Sequence, residues 1–431
     1  MNKVYFLIFT WCIVINAYAQ QKQVFVNTDI THFWEAYDKI TSTKDTIQQI
    51  TYIEELYLAK ASPGLKSMIE VRNYTAKEYV NAIQQYPEFW KSIRKNTLSA
   101  KQQYAKIEKD INGLKALYPA MKPSTIYFVM GVFRSGGTIK GDQVLIGAEF
   151  SLADKSTKIE ELPLWRQPFF KENPLVDALP LLCAHEYVHT QQKPLVENLL
   201  SMCLYEGVAE FISCKATGKK SDAPAIEFGK ANEKAVVAQF VKDLFLMAND
   251  YNWLYGQNRN EFKVRDLGYY IGYEMAERYY NLSSNKEKAI QELIELNYEN
   301  ETEVERIIDA TQFLPKTLAE LYADYDKERP TVIALSPFQN NSNNVEPGLT
   351  KIMITFSEPL NGVTTSIDYG PLGEQAFPKI KPERIWSADA KTWTIEADLK
   401  PGTHYQILIS NNFRKTNGVR LKPYLIDFST K

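Results

Sequence analysis

Two of the chain's four histidines stand one helical turn apart, in the segment His185-Glu186-Tyr187-Val188-His189. On a helix this spacing puts both imidazoles on one face, with Glu186 about 100° around from His185. Neutral imidazole nitrogen suits Zn2+, and two such ligands at i and i+4 reach a single ion. A carboxylate beside the first is then placed to take a proton from water at the open position. Chance occurrence on an ordinary amphipathic helix is the alternative reading, and the scarcity of histidine, four in 431 residues, weighs against it.

A third ligand is needed, and it lies downstream. Gln191, Gln192 and Lys193 follow the motif and Pro194 ends the helix, so there is no HExxHxxGxxH continuation. The only later histidine, His404, lies in the C-terminal part. Residues 199–212 instead read as a second apolar helix carrying Glu206 and Glu210 at i and i+4. One of the two acids is the third ligand. Leu204, Val208, Phe211 and Ile212 make this helix a buried one, where an acid needs a partner.

The pairing of His185-Glu186 and His189 with Glu206-Gly207-Val208-Ala209-Glu210-Phe211 resembles the gluzincin metallopeptidases. That resemblance implies zinc held by His185, His189 and Glu206, with Glu186 as general base in hydrolysis of a protein or peptide substrate. It also implies Glu210 as a supporting acid, hydrogen-bonded to a ligand histidine. The gap from His189 to Glu206 is 206 − 189 − 1 = 16 residues, slightly short for that family, and Glu210 would leave 20. Glu210 therefore stays open as the ligand. HEYVH, YEGVAEF and the run Arg265-Asp266-Leu267-Gly268-Tyr269-Tyr270-Ile271-Gly272-Tyr273 together resemble the predicted Zn-dependent protease family, over residues 30–325. Activity in that family is itself inferred from the motif. A zincin fold without turnover, acting as a surface binding or assembly module, is the alternative; the intact Glu186 favours the enzyme.

Other segments frame the motif. Gly268 and Gly272, at i and i+4, predict a helix that approaches another closely, since interior glycine costs about 1 kcal/mol relative to alanine. Tyr269, Tyr270, Tyr273 and Arg265 are candidate oxyanion donors. The β-rich runs at 126–133 and 144–150, with a turn at 134–138, predict a hairpin just before the metal helix. Its edge either pairs with an extended substrate or simply stabilises the domain.

The expected fold is α+β: a mainly helical zincin-like metallopeptidase domain with a small β-sheet, then an all-β Ig-like sandwich. Residues 1–19 read as a signal peptide, with a positive start, an apolar run and the cleavage site Ala17-Tyr18-Ala19. Residues 20–328 form the metallopeptidase domain, divided into a helical section at 20–122 and a catalytic section at 123–328. From 330 to 431, short β-rich runs alternate with Asn, Gly and Pro turns. Ile354-Thr355-Phe356-Ser357-Glu358-Pro359, Leu399-Lys400-Pro401-Gly402-Thr403 and Phe428-Ser429-Thr430 resemble bacterial Ig-like domains of the S-layer type. This implies contact with the cell surface or envelope, and the whole reads as an exported protein. A net charge of −2 and a pI of about 6.2 give no nucleic-acid footprint, and no later apolar run is long enough for a transmembrane segment. Cys183, Cys203 and Cys214 read as buried free thiols, with one oxidised pair as the alternative.

Overall fold

The computed structural model describes residues 23–171, 175–246, 250–255 and 260–431, so the signal-peptide reading falls outside the described residues. The chain divides into two compact units after Thr190.

Helices dominate the first unit and wrap a four-stranded sheet. Pro63 and Pro87 each take the first turn of a helix, where the missing N–H is no loss. Thr75 and Glu78 form a reciprocal capping box that opens the helix Ala76–Gln85. Aromatic side chains make the helical core. Phe33, Trp34, Tyr57, Tyr79, Phe89 and Trp90 are all buried, with Phe33 in ring contact with Trp34, Tyr57 and Trp90 at 5.1–5.5 Å.

The sheet holds β1 (Phe25–Val26), β2 (Thr125–Val129), β3 (Gly137–Lys140) and β4 (Gln143–Gly147) in the order β1-β2-β4-β3. This corrects the expected hairpin. The two apolar runs are parallel neighbours, Ile126 opposite Val144, and the antiparallel hairpin is β3–β4. The reason lies in residues 137–140, whose first part was read as turn. They form a strand, and the tight turn sits at Gly141-Asp142, where Gly141 takes the positive φ of 59° that a two-residue hairpin loop demands. Every residue of β2 and β4 beyond the first is buried, as parallel strands covered on both faces require. β3 is left as the terminal strand.

In the second unit, helices up to Lys327 precede two four-stranded sheets. Strands β5 (Val332–Ser336), β7 (Gly348–Phe356), β9 (Lys379–Trp386) and β10 (Thr392–Leu399) pair in the order β5-β7-β10-β9. The other sheet orders β6 (Ser342–Val345), β8 (Ile367–Asp368), β11 (His404–Ile409) and β12 (Tyr424–Thr430) as β6-β12-β11-β8. Alternate residues of each main strand, among them Ile352, Ile354, Trp393, Ile395, Ile407, Ile426 and Phe428, meet in one core. This is the expected Ig-like sandwich after an α+β domain.

The sandwich does not hang from a free linker. The Arg329 side chain, 9% exposed, donates to the carbonyls of Arg420 (3.2 Å) and Leu421 (2.6 Å), Lys422 pairs with Asp326 at 2.7 Å, and the Arg420 N–H donates to the Tyr325 hydroxyl. Among the described residues no helix is long and apolar enough to cross a membrane.

Candidate metal centre

The histidine helix, Leu175–His189, has no polar face: nearly every residue from Leu179 to His189 is buried. Its C-terminal end is tied down locally. The Ser124 N–H donates to the Tyr187 hydroxyl at 2.7 Å, and Thr190 reaches both the Tyr187 carbonyl (2.7 Å) and the Ser124 hydroxyl (2.8 Å). The helix therefore stops where β2 starts, and the two imidazoles are presented by a rigid element.

The glutamate helix, Leu199–Thr217, begins at Asn198, whose side chain accepts the Ser201 N–H at 2.9 Å, and ends at Gly218 with φ 69°. Backbone packs on backbone here. A methyl group at Gly272, on the glycine helix Leu267–Leu282, would lie 1.7 Å from the Cys203 carbonyl oxygen, and one at Gly207 would lie 2.0 Å from the Gly272 carbonyl carbon. The close approach expected of Gly268 and Gly272 is present, with Gly207 as the matching small residue. Gln192 steadies the segment before Glu206 by donating to the Tyr205 carbonyl and the Tyr298 hydroxyl, each at 3.1 Å.

His185, His189 and Glu206 form a group in which each offers a ligand atom, and these atoms all lie within 4.8 Å of one another. The two Nε2 atoms are 3.0 Å apart. Two nitrogen ligands on a tetrahedral zinc, each at about 2.05 Å, would sit about 3.3 Å apart, so the imidazole pair fits that ion. Both histidines are buried and Glu206 is half-buried. Glu210 is not one of the three; it is buried one turn further on, and the Cys214 thiol points at its Oε1 from 3.8 Å.

Glu186 is buried at 8% exposure, and its carboxylate lies against the edge strand: a methyl group at Gly137 would come 2.7 Å from Oε1. Sequence reading missed this glycine because Gly136-Gly137 looked like turn residues. It missed Glu149 as well. That side chain is fully buried and accepts the N–H groups of Gly131 (2.8 Å) and Phe133 (3.0 Å), pinning the loop that leads into β3. Burial raises its carboxyl above the ordinary range against the pull of those N–H groups. Burial also pushes the Cys183 thiol well up, with the Glu186 and Asp110 charges adding to it, and among the described residues Cys183, Cys203 and Cys214 form no disulfide.

Of the oxyanion candidates, Tyr270 donates to Glu233 at 3.0 Å and Tyr273 to Glu277 at 3.4 Å, so both hydroxyls are committed to carboxylates of their own surroundings. Arg265 and Tyr269 are half-buried, with Arg265 3.6 Å from Asp266. His404 pairs with Asp427 at 2.7 Å in the sandwich.

Residues 169–301 match the family described as predicted Zn-dependent protease (DUF2268), and residues 326–430 match the bacterial Ig-like domain. The chain thus carries a segment of the predicted protease kind followed by an Ig-like domain. No curated protein matches it. Among solved structures the chain is similar to an S-layer protein, rSbsC(31-844), at 12% identity with a TM-score of 0.18; the similarity covers 94% of this chain and 45% of that one.

Proposed function

We propose that the chain is an exported zinc-dependent metallopeptidase of the gluzincin type. The observation that carries the reading is the convergence of His185, His189 and Glu206 on one point, with Glu186 on the same helix as the two histidines. Zinc at that point supplies a Lewis acid that acidifies water and polarises a carbonyl. The chain's own residues do the rest. Glu186 takes the proton from the attacking water at its carboxylate and returns it to the leaving amine. Glu210, one turn after Glu206, holds a ligand imidazole in orientation.

β3 is the surface along which the substrate lies. In its pairing with β4 the register sets Thr138 opposite Leu145 and Lys140 opposite Gln143, with a two-residue turn beyond. In such a ladder the closing pair and every second pair inward exchange hydrogen bonds. Gly137 and Ile139 therefore turn their N–H and C=O groups to the outer edge. A peptide added there passes the Glu186 carboxylate, which leaves room at Gly137 only because that residue has no side chain.

The peptidase domain runs over residues 20–328, and the sandwich at 330–431 links it to the cell surface or envelope. Metal analysis tests the site. The protein purified after mild dialysis holds about one zinc per chain, and His185→Ala combined with His189→Ala removes it. Zinc content unchanged by that double substitution refutes the assignment.

A further inference from the structure

We infer, on the peptidase reading above, that an aromatic shelf beside Gly136 receives a large apolar side chain of the substrate, so that cleavage occurs close to such a residue. Gly136 and Gly137 are consecutive, yet they face different neighbours. A methyl group at Gly137 would meet the Glu186 carboxylate, whereas one at Gly136 would lie 3.1 Å from the Phe150 ring. Adjacent Cα atoms are about 3.8 Å apart, so the ring edge and the carboxylate flank one dipeptide within about 10 Å, the length of two to three extended residues.

Phe150 does not stand alone. Its ring is 4.8 Å from that of Phe170 and 6.3 Å from that of Phe169, and all three side chains are only half-buried. In the same segment Leu164 is 83% exposed and Trp165 67% exposed, with the Arg166 guanidinium 4.6 Å over the indole. Leu164 and Trp165, adjacent large apolar side chains left in water, extend the half-buried ring cluster as a surface open to contact. Its continuity with the outer edge of β3 selects the occupant: a peptide strand on that edge sends alternate side chains to opposite sides, and those on the Gly136 side come onto the shelf. The Gly136 carbonyl is fixed by the Gly147 N–H at 3.0 Å and the Ser151 hydroxyl at 2.7 Å, so this stretch of backbone is held in place next to the rings.

Fluorescence anisotropy with zinc-loaded Glu186→Gln protein reads the shelf without turnover, using two labelled heptapeptides that differ only in a central Phe or Asp. The Phe peptide is expected to bind at least roughly tenfold more tightly, the discrimination typical of an apolar pocket. Phe150→Ser and, separately, the exposed Trp165→Ala should shrink that ratio while zinc content holds. Equal binding of the two peptides, or a ratio unchanged in both variants, overturns the proposal. Cleavage profiling of the wild type on a broad peptide mixture distinguishes the two levels. Cleavage with a fixed large apolar residue within three positions of the broken bond supports the shelf. Cleavage with no such preference overturns the shelf alone, and no cleavage at all counts against the peptidase reading while the binding ratio still judges the shelf.

Discussion

Replacing Gly272 with alanine tests whether the glutamate helix is placed by backbone contact. The added methyl group would sit 1.7 Å from the Cys203 carbonyl oxygen, 2.5 Å from its carbon and 3.0 Å from the Gly207 Cα. All three are backbone atoms, so no side chain can swing aside. To bring the closest contact merely to 3.0 Å the helices must part by 3.0 − 1.7 = 1.3 Å. Overpacking of this sort costs about 1–3 kcal/mol and more where the backbone must move, and the helix propensity gained by alanine, about 1 kcal/mol, does not offset it. We expect a net loss of roughly 2 kcal/mol in urea unfolding, together with weakened zinc binding, because Glu206 adjoins Gly207 on the displaced helix. Gly218→Ala is not a neutral control, since its φ of 69° strains any side chain, whereas Gly268→Ala is a graded one: the Leu254 and Cys203 side chains at 2.7 and 2.8 Å can partly yield, and the one backbone contact, the Trp253 carbonyl oxygen, is already at 2.9 Å against 1.7 Å at Gly272. A Gly272→Ala protein with wild-type unfolding and full zinc content would refute the packing account.

Further outcomes follow from the site. Glu206→Ala should remove most of the metal, whereas Glu210→Ala should weaken zinc affinity roughly 10- to 100-fold and leave binding measurable by titration. Glu186→Gln should keep zinc and fold but lose peptide hydrolysis, read by metal analysis, circular dichroism and turnover side by side. Gly137→Ala should cut turnover with little change in zinc content, because its methyl group presses on the Glu186 carboxylate rather than on a ligand. Glu149 has a raised carboxyl pKa, so the folded chain keeps a proton that the unfolded chain releases; its contribution is full below about 4.5 and is lost as pH rises through the raised value. Urea midpoints measured against pH should therefore fall in the wild type relative to Glu149→Gln over that interval.

The sequence made the metal helix legible because its information is local: a four-residue spacing in a buried run needs no knowledge of distant partners. The Ig-like sandwich was legible for the same reason, through alternation along β7, β10, β11 and β12. Pairing of the small sheet was not. Whether Ile126 and Val144 run parallel depends on what intervenes, and the four residues of β3, opening on Gly137 directly after Gly136, are too few to announce a strand. Glu149 was hidden similarly. A single acid after an apolar run looks like a strand end, and only the fold shows that two loop N–H groups converge on it. The glycine helix lay between these cases, since Gly268 and Gly272 predicted a close neighbour while its identity, the stretch Cys203 to Gly207, came only from the structure.

Incubating the wild-type protein with a broad peptide library, with and without a zinc chelator, tests the central claim most directly. The account predicts cleavage that the chelator abolishes and added zinc restores. Absence of any chelator-sensitive cleavage from a folded, zinc-loaded protein would contradict it, and would favour a zincin fold that serves as a binding or assembly module.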